Sequence, residues 1–306
     1  MLELPQVLCF SRDHCLLEAR AAVLERRYRG VPVGSLAGTV AADGERSSLH
    51  RRQEVNEHLR SEAGSVPRHS DTSKAALHAR AGASDAPLQP ASIGVRILGH
   101  GCTRDGLVYI PPPRADGPRP LIVLLHGAGG DGASMLRLLQ QPATEQNCVL
   151  LLPDARKHTW DFLIDDFGPD VTFLDRALTQ VFSEVSIDPS KVAIAGFSDG
   201  ASCALTLGLA NGDLFTEVMA FSPGFMAPPR LEGSPRVFLS HGVWDEVLPI
   251  DVCGRRVAEQ LKDLDYDLAY REFYGPHTVP GPVMREAMAW FLQGPLEPRV
   301  SVEAGN

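Results

Sequence analysis

One serine in this chain occupies a position that suits nucleophilic catalysis. Ser198 is the middle residue of segment 196–200 (GFSDG), which follows the apolar run 192–195 and opens the helical pattern 199–209. Glycines on both sides of a serine allow a sharp turn that leaves its hydroxyl exposed. The helix that follows presents backbone N–H groups, which favour negative charge. Ser198 is therefore a candidate nucleophile, with half of an oxyanion site beside it.

An acid and an imidazole that could serve this serine follow later in the chain. Asp245 lies in segment 241–249 (HGVWDEVLP), and His277 lies in a loop that contains two prolines. A carboxylate can fix the tautomer of an imidazole, which can then accept the serine proton. Glu246 is the adjacent competitor, and we expect the first acid of the segment to act. The chain order Ser, Asp, His is the order of the α/β-hydrolase triad.

A glycine-dense segment, 126–132 (HGAGGDG), follows the apolar run 121–125. Such a loop can bring N–H groups to a substrate oxygen, and we expect it to complete the oxyanion site. A phosphate-binding loop is the alternative, but the segment lacks the Lys-Ser/Thr ending of a P-loop and the spacing of a dinucleotide fingerprint. His126 and His241 each precede a glycine at a predicted strand end, and we interpret both as structural groups that brace these loops.

A regular scaffold must position these residues, and apolar patterning predicts one. Continuous apolar runs are typical of parallel strands that are buried on both faces. We predict strands at 95–98, 107–110, 121–125, 149–152, 192–195, 218–221, 237–240 and 270–273. We predict helices at 134–139, 169–185, 199–209, 250–264 and 283–292. This alternation predicts an α/β fold with a mostly parallel central sheet flanked by helices, whose ligands bind at the carboxyl ends of the strands.

The chain divides into three predicted parts. Residues 1–90 have little hydrophobic periodicity, and we expect a weakly ordered N-terminal extension or a targeting segment there. Residues 91–295 form the predicted catalytic domain, and 296–306 form a C-terminal tail. Within the extension, segment 14–29 has the pattern of a short amphipathic helix that could cover the active site. A small regulatory module is the alternative for the extension.

Composition narrows the classes of function. The net charge of −9 argues against nucleic-acid partners, and no apolar run reaches the roughly 20 residues of a transmembrane helix. The six cysteines lack metal-ligand spacing, which favours reduced thiols and a cytoplasmic location, although the extension leaves organelle targeting open. Asp161, Asp165 and Asp166 could suggest a cation, but no further oxygen ligands accompany them. We expect a solvated loop there, with no metal and no organic cofactor.

Four motifs together resemble a known family. From about residue 103 to 293 the chain is similar to the α/β-hydrolase superfamily, and within it to the phospholipase/carboxylesterase group, which includes acyl-protein-thioesterase-like serine esterases. The motifs that carry the resemblance are 126–130 (HGAGG), 196–200 (GFSDG), 241–249 (HGVWDEVLP) and 275–277 (GPH). Segment 104–111 (RDGLVYIP) also resembles members similar to polyhydroxybutyrate depolymerases and feruloyl esterases.

The resemblance implies a role for each candidate residue. Ser198 is the implied nucleophile, and Asp245 and His277 are its implied triad partners. The backbone N–H groups of Ala128 and Asp199 are the implied oxyanion donors. No metal or organic cofactor is needed for this chemistry.

Two positions depart from the pattern of the family. Acyl-protein thioesterases usually carry glutamine after the nucleophile, where this chain has Asp199. Pro276 stands where a small residue is more usual before the histidine. A carboxylate at position 199 would place negative charge near the developing oxyanion unless it turns away. The departures leave the substrate subgroup open.

We therefore predict a serine hydrolase that cleaves small-molecule carboxylic esters or thioesters through an acyl-enzyme intermediate. Four apolar side chains in loops after strands are candidates for an acyl or aromatic pocket, with ordinary core packing as the alternative for each: Trp160, Phe225, Met226 and Trp244. One alternative is a hydrolase similar to polyhydroxybutyrate depolymerases or feruloyl esterases. Others are a catalytically silent ligand-binding hydrolase fold, a peptidase of the same fold, and an interaction protein that acts through residues 1–90. The sequence predicts no oligomeric state.

Overall fold

An eight-stranded sheet organises the part of the chain that the structure describes. The computed structural model describes residues 53, 57, 75–82, 92–164 and 167–293. The predicted helix at 14–29 and the tail 296–306 lie outside the described residues. So do Asp165 and Asp166, two of the three acids that could have suggested a cation.

Parallel pairing dominates the sheet. The strands are β1 (Gly94–Ile97), β2 (Gly106–Ile110), β3 (Arg119–Leu125), β4 (Val149–Pro153), β5 (Ile187–Phe197), β6 (Glu217–Phe221), β7 (Arg236–Gly242) and β8 (Leu268–Phe273). Their spatial order is β1-β2-β4-β3-β5-β6-β7-β8. Neighbours from β4 to β8 are parallel, and β2 pairs antiparallel with both β1 and β4. The predicted mostly parallel sheet is confirmed.

Helices connect the parallel strands. They are α1 (Gly132–Glu145), α2 (Asp161–Ile164), α3 (Pro169–Glu184), α4 (Asp199–Ala210), α5 (Gly254–Asp263) and α6 (Gly281–Gln293). Helix α1 begins earlier than the predicted 134–139 because Asp131 caps it: the Asp131 side chain accepts from Ser134 N–H at 2.7 Å, and Ser134 Oγ bonds back to the cap. The short helix α2 was not predicted.

Alternating side chains of β3 divide the core into two layers. Leu121, Val123 and Leu125 lie in a cluster with α3 and α4, whereas Ile122 and Leu124 lie in a cluster with α1 and α6. All five side chains are fully buried. A parallel strand covered by helices on both faces needs this continuous apolar run. The same arrangement brings the carboxyl ends of the parallel strands, and the loops that follow them, to one edge of the sheet.

A segment that precedes the sheet packs on the domain, which corrects the predicted domain boundary at residue 91. We call residues 75–82 the anchor segment. Leu77 is 1% exposed and belongs to the core cluster of α3 and α4. Asn211 Oδ1 accepts from Leu77 N–H at 2.8 Å, and Asn211 Nδ2 donates to Ala75 O at 2.9 Å. The boundary was placed too late because only three small or apolar side chains of the segment are buried, too few to form a recognisable pattern.

The described cysteines are all unpaired. Cys102 is exposed, while Cys148, Cys203 and Cys253 are buried. The other two cysteines lie outside the described residues. Over the described part of the chain, no helix has the length and apolar character needed to cross a membrane.

Candidate active site

Ser198 lies at the sharp turn between β5 and α4. Its backbone has φ 56° and ψ −121°, a strained conformation for a residue with a side chain. Ser198 N–H donates to Phe221 O at 2.9 Å, which fixes the turn to β6. A Cβ on Gly196 would strike Gly200 O, and a Cβ on Gly200 would strike Leu125 O. The two glycines are therefore required by contact, and the turn leaves the serine side chain partly exposed.

Asp245 and His277 form a hydrogen-bonded pair after β7 and β8. His277 Nδ1 lies 2.6 Å from Asp245 Oδ2, and Asp245 is buried, whereas the competing Glu246 is exposed. The His277 ring packs on Phe197, the residue before Ser198, with ring centroids 4.7 Å apart. Among the contacts of the described residues, none is a hydrogen bond between the Ser198 hydroxyl and His277. Catalytic hydrogen bonds of this kind often tighten only when substrate binds.

Four donors surround the Asp245 carboxylate. Its Oδ1 accepts from the N–H groups of Val247 at 2.9 Å and Leu248 at 2.7 Å. Its Oδ2 contacts two imidazoles, His277 Nδ1 and, at 3.2 Å, His241 Nε2. Burial raises the pKa of Asp245, but hydrogen bonds from both imidazoles and from Leu248 N–H outweigh burial and hold this pKa well below its usual range. Asp245 is therefore ionised at neutral pH.

The loop after β3 lies against the serine turn. A Cβ on Gly127 would come within 3.2 Å of Ser198 Cβ, so a larger residue would crowd the Ser198 side chain. Gly129 N–H donates to His158 O at 2.7 Å, which fixes the far side of the loop. Between these two points, Ala128 is exposed, and among the described residues its N–H has no protein acceptor. That N–H group is available to a substrate oxygen.

Both structural histidines brace loops, as the sequence predicts. His126 is fully buried, with Nδ1 2.7 Å from Gly127 O, and its Nε2 accepts from Ala155 N–H at 2.9 Å. Because Nε2 accepts, Nδ1 carries the proton. Burial lowers the pKa of His126, which keeps the imidazole neutral. His241 Nε2 lies 2.8 Å from Leu248 O, across the loop that carries the acid.

The side chain of Asp199 is buried and hydrogen-bonded to a threonine hydroxyl group. Its Oδ2 accepts from Thr159 Oγ1 at 2.5 Å, and both residues are buried. The Asp199 N–H opens α4, where no preceding helical carbonyl can accept from it. Asp199 can therefore present its N–H to a substrate oxygen while its side chain is engaged elsewhere.

Comparisons with known proteins agree with this fold. A family model described as phospholipase/carboxylesterase matches residues 171–293. Acyl-protein thioesterase 1 of Gibberella zeae is 24% identical over 225 residues, which cover 61% of this chain and 95% of that protein. The crystal structure of esterase PE8 has a TM-score of 0.50 and 26% identity, and the match covers 61% of this chain and 97% of that one. The chain therefore has an α/β-hydrolase fold, and its residues 171–293 are similar to the phospholipase/carboxylesterase family.

A further relative matches this α/β-hydrolase over a shorter stretch. The Aspergillus niger protein named "Probable feruloyl esterase C" is 27% identical over 155 residues. The match covers 48% of this chain and 56% of that protein, so this α/β-hydrolase spans about half the length of that relative.

The four predicted pocket residues of this α/β-hydrolase take three kinds of position. Trp160 is 2% exposed, and its indole N–H donates to His126 O at 2.9 Å, so it packs behind the loop that follows β3 instead of lining an open pocket. Phe225 and Met226 are half-buried and pack against the core cluster of α3 and α4. Trp244 is 63% exposed, and its ring centroid lies 5.8 Å from that of Tyr274.

Asp161 does not lie in a solvated loop, contrary to expectation. It is the first residue of α2 and is 7% exposed. Asp161 N–H donates to Asp170 Oδ2 at 2.7 Å, and Asp170 N–H donates to Asp161 Oδ2 at 2.8 Å. These reciprocal bonds replace water, and burial raises the pKa of Asp161 to about 6. Across the described residues, no group of three or more His, Cys, Asp or Glu side chains could hold a metal ion.

Sequence reasoning missed the groups that fix the site loops to each other. Arg104 Nε donates to Ala155 O and its guanidinium NH₂ donates to Gly130 O, both at 2.6 Å, which ties the loops after β3 and β4 together. Thr159, in the loop after β4, holds the Asp199 side chain. The sequence offered one signal for these groups, which was the position of the loops that they connect. Those loops follow strands, at the edge of the sheet where ligands bind.

Proposed function

We propose that this α/β-hydrolase cleaves carboxylic esters, with Ser198 as nucleophile, His277 as general base and Asp245 as the acid that orients the imidazole. The observation that carries the proposal is the bonded pair His277–Asp245 beside the strained turn of Ser198. A strained serine turn, an ionised buried acid and an intervening imidazole are the parts that acyl transfer requires. They occur here in the chain order that α/β-hydrolases use.

The reaction begins with proton transfer from Ser198 Oγ to His277 Nε2. The serine oxygen attacks the ester carbonyl, and the carbonyl oxygen becomes an anion. The imidazolium then donates its proton to the leaving alcohol, which departs and leaves an acyl group on Ser198. His277 next accepts a proton from water as the water oxygen attacks the acyl group. The bond from the acyl carbon to Ser198 Oγ then breaks, the imidazolium returns its proton to Ser198 Oγ, and the carboxylic acid is released.

Two backbone N–H groups stabilise the anion in this scheme. Asp199 N–H lies at the N-terminus of α4, and Ala128 N–H lies in the loop that contacts Ser198. Donors fixed in place before reaction stabilise developing charge without reorganising, and loss of one such donor costs about 10²–10³ in turnover. The polar loop contacts of His126 and Arg104 hold these donors in position.

The substrate class follows from the shape of the site. Between β6 and β7 the chain lies along α4: Ala227 N–H donates to Thr206 Oγ1 at 3.1 Å, and Glu232 N–H donates to Leu209 O at 2.9 Å. Among the described residues, this connection therefore forms no lid over Ser198. We propose small or medium acyl esters as substrates, with thioesters as the second class, in keeping with the esterases and the acyl-protein thioesterase among the relatives. Half-buried Phe225 and Met226 and exposed Trp244 remain the proposed contacts for the acyl or leaving group.

The decisive experiment compares hydrolysis of p-nitrophenyl acetate by the full chain and by Ser198→Ala. We expect Ser198→Ala to lose about 10³-fold or more in turnover, because the nucleophile is gone. Ser183→Ala, at an exposed serine of α3, is the matched control and should keep the full rate. Equal rates for the full chain and Ser198→Ala would overturn the proposal. A full chain with no activity on any ester or thioester would instead favour a silent ligand-binding fold.

A further inference from the structure

A three-residue bridge connects the two halves of the oxyanion site. It consists of residues 158–160, in the loop after β4. On one side, Thr159 Oγ1 donates to Asp199 Oδ2 at 2.5 Å, beside the serine turn. On the other side, His158 O accepts from Gly129 N–H at 2.7 Å. The bridge therefore contacts the serine turn and the glycine loop through neighbouring residues.

The bridge is anchored at both of its ends. Trp160 Nε1 donates to His126 O at 2.9 Å, which fixes the indole under the strand end that carries the glycine loop. The next residue, Asp161, is held by its reciprocal bonds to Asp170. Thr159 and Trp160 are 0% and 2% exposed, so water cannot easily replace these contacts. Because the bridge is fixed in this way, a shift of the glycine loop would also shift the serine turn.

The Thr159–Asp199 bond is the sole side-chain link from the bridge to the serine turn among the described residues. A buried carboxylate that lacks a hydrogen-bond donor lowers the stability of the fold. The folded state therefore favours keeping the Thr159 hydroxyl bonded to Asp199. The Asp199 backbone carries one proposed oxyanion donor, and Gly129 follows Ala128, which carries the other. The distance between the two N–H groups thus depends on the bridge.

We propose that Thr159 and Asp199 are positioning residues that set the separation of the two oxyanion N–H groups. The inference rests on the proposed esterase function and assigns a use to the acid that follows the nucleophile. Without the Thr159 hydroxyl, the serine turn loses its side-chain hydrogen bond to the bridge, and the pairing of β3 with β5 still holds the turn and the glycine loop together. The N–H groups then fit the flat ester but fit the tetrahedral anion less well, so the loss falls on turnover and not on substrate binding.

Thr159→Val tests the proposal because it removes the hydroxyl and keeps the shape of the side chain. We expect kcat for p-nitrophenyl acetate to fall about tenfold or more, with KM changed less than about threefold. The affinity for a phenylboronic acid, which forms a tetrahedral adduct with serine, should fall by a similar factor. Thr179→Val, at an exposed threonine of α3, is the matched control and should leave both values unchanged. Rates are expressed per active site titrated with a fluorophosphonate.

A conservative variant distinguishes a role in positioning the oxyanion donors from a general loss of structure. Thr159→Ser keeps the hydroxyl, so it should retain kcat within about threefold of the full chain. Wild-type kcat and boronate affinity in Thr159→Val would overturn the inference while leaving the esterase proposal intact. If Thr159→Val does not fold, Thr159→Ser decides, and a tenfold loss of kcat there would overturn the inference. Activity that is absent from the full chain itself counts against the esterase proposal.

Discussion

The carboxylate of Asp245 is shared by two imidazoles through a single oxygen. Asp245 Oδ2 lies 2.6 Å from His277 Nδ1 and 3.2 Å from His241 Nε2, while its other oxygen accepts two backbone N–H groups. His241 is fully buried, and its Nε2 also lies 2.8 Å from Leu248 O. Because a carbonyl oxygen can only accept, Nε2 carries the proton. His241 therefore donates to the same carboxylate oxygen that contacts His277.

Removing the His241 donor should lower turnover. We expect His241→Leu to reduce kcat for p-nitrophenyl acetate about tenfold or more, because a hydrogen bond to a charged group contributes roughly 1.5–3 kcal/mol. His241→Gln places an amide N–H donor near the same position and should keep most of kcat. Steady-state kinetics of the two variants, with circular dichroism to check folding, makes the comparison. Equal losses in both variants, or no loss in either, would refute this role.

The anchor segment should stabilise the domain although it lies outside the sheet. Leu77→Ala removes a side chain that is 1% exposed, and such core truncations cost about 2–5 kcal/mol of unfolding free energy. Leu138→Ala, at a leucine of α1 that is 39% exposed, is the control and should cost much less. Urea unfolding of the full chain and both variants measures the difference. Equal unfolding midpoints for Leu77→Ala and the full chain would show that the anchor segment contributes nothing to the fold.

Ionisation of Asp161 should weaken the fold as pH rises. Burial raises the pKa of Asp161 to about 6, above its value of 3.8 in an unfolded chain. The folded state therefore binds more protons than the unfolded state between about pH 4 and 6, and this contribution to stability is lost as pH rises through that window. Relative to Asp161→Asn, the full chain should lose about 2 kcal/mol of unfolding free energy between pH 4 and 7.

Urea titrations of both proteins at several pH values check this expectation. The difference between the two curves reports on Asp161 together with Asp170, the carboxylate bonded to it, because the other titrating groups are common to both proteins. Parallel curves across pH 4 to 7 would mean that Asp161 is not shifted as its burial implies.

Local patterns in the sequence account for most of the fold and for the core of the candidate site. Continuous apolar runs such as 121–125 and 192–195 predicted the parallel strands, because burial on both faces leaves no alternation. The turn at Ser198 was predictable because a serine flanked by glycines between an apolar strand and a helical pattern is itself a local signal. Each candidate residue followed a predicted strand, which places them at one edge of the sheet.

Polar contacts between residues far apart in the chain could not be predicted from local sequence patterns. Thr159 and Asp199 are 40 residues apart, and Leu77 and Asn211 are 134 residues apart. Nothing in the local composition around either member specifies its partner. The prediction that Asp161 is solvated fails for the same reason. Its burial depends on reciprocal hydrogen bonds with Asp170, which the sequence around Asp161 does not reveal.

Covalent labelling of Ser198 tests the central claim most directly. The full chain is incubated with a fluorophosphonate, and the labelled peptide is identified by mass spectrometry. We predict a single adduct, on Ser198, that is absent from Ser198→Ala, strongly slowed in His277→Ala and unchanged in Ser183→Ala. An adduct on any other residue, or labelling that persists in Ser198→Ala, would contradict the assignment of Ser198 as the nucleophile.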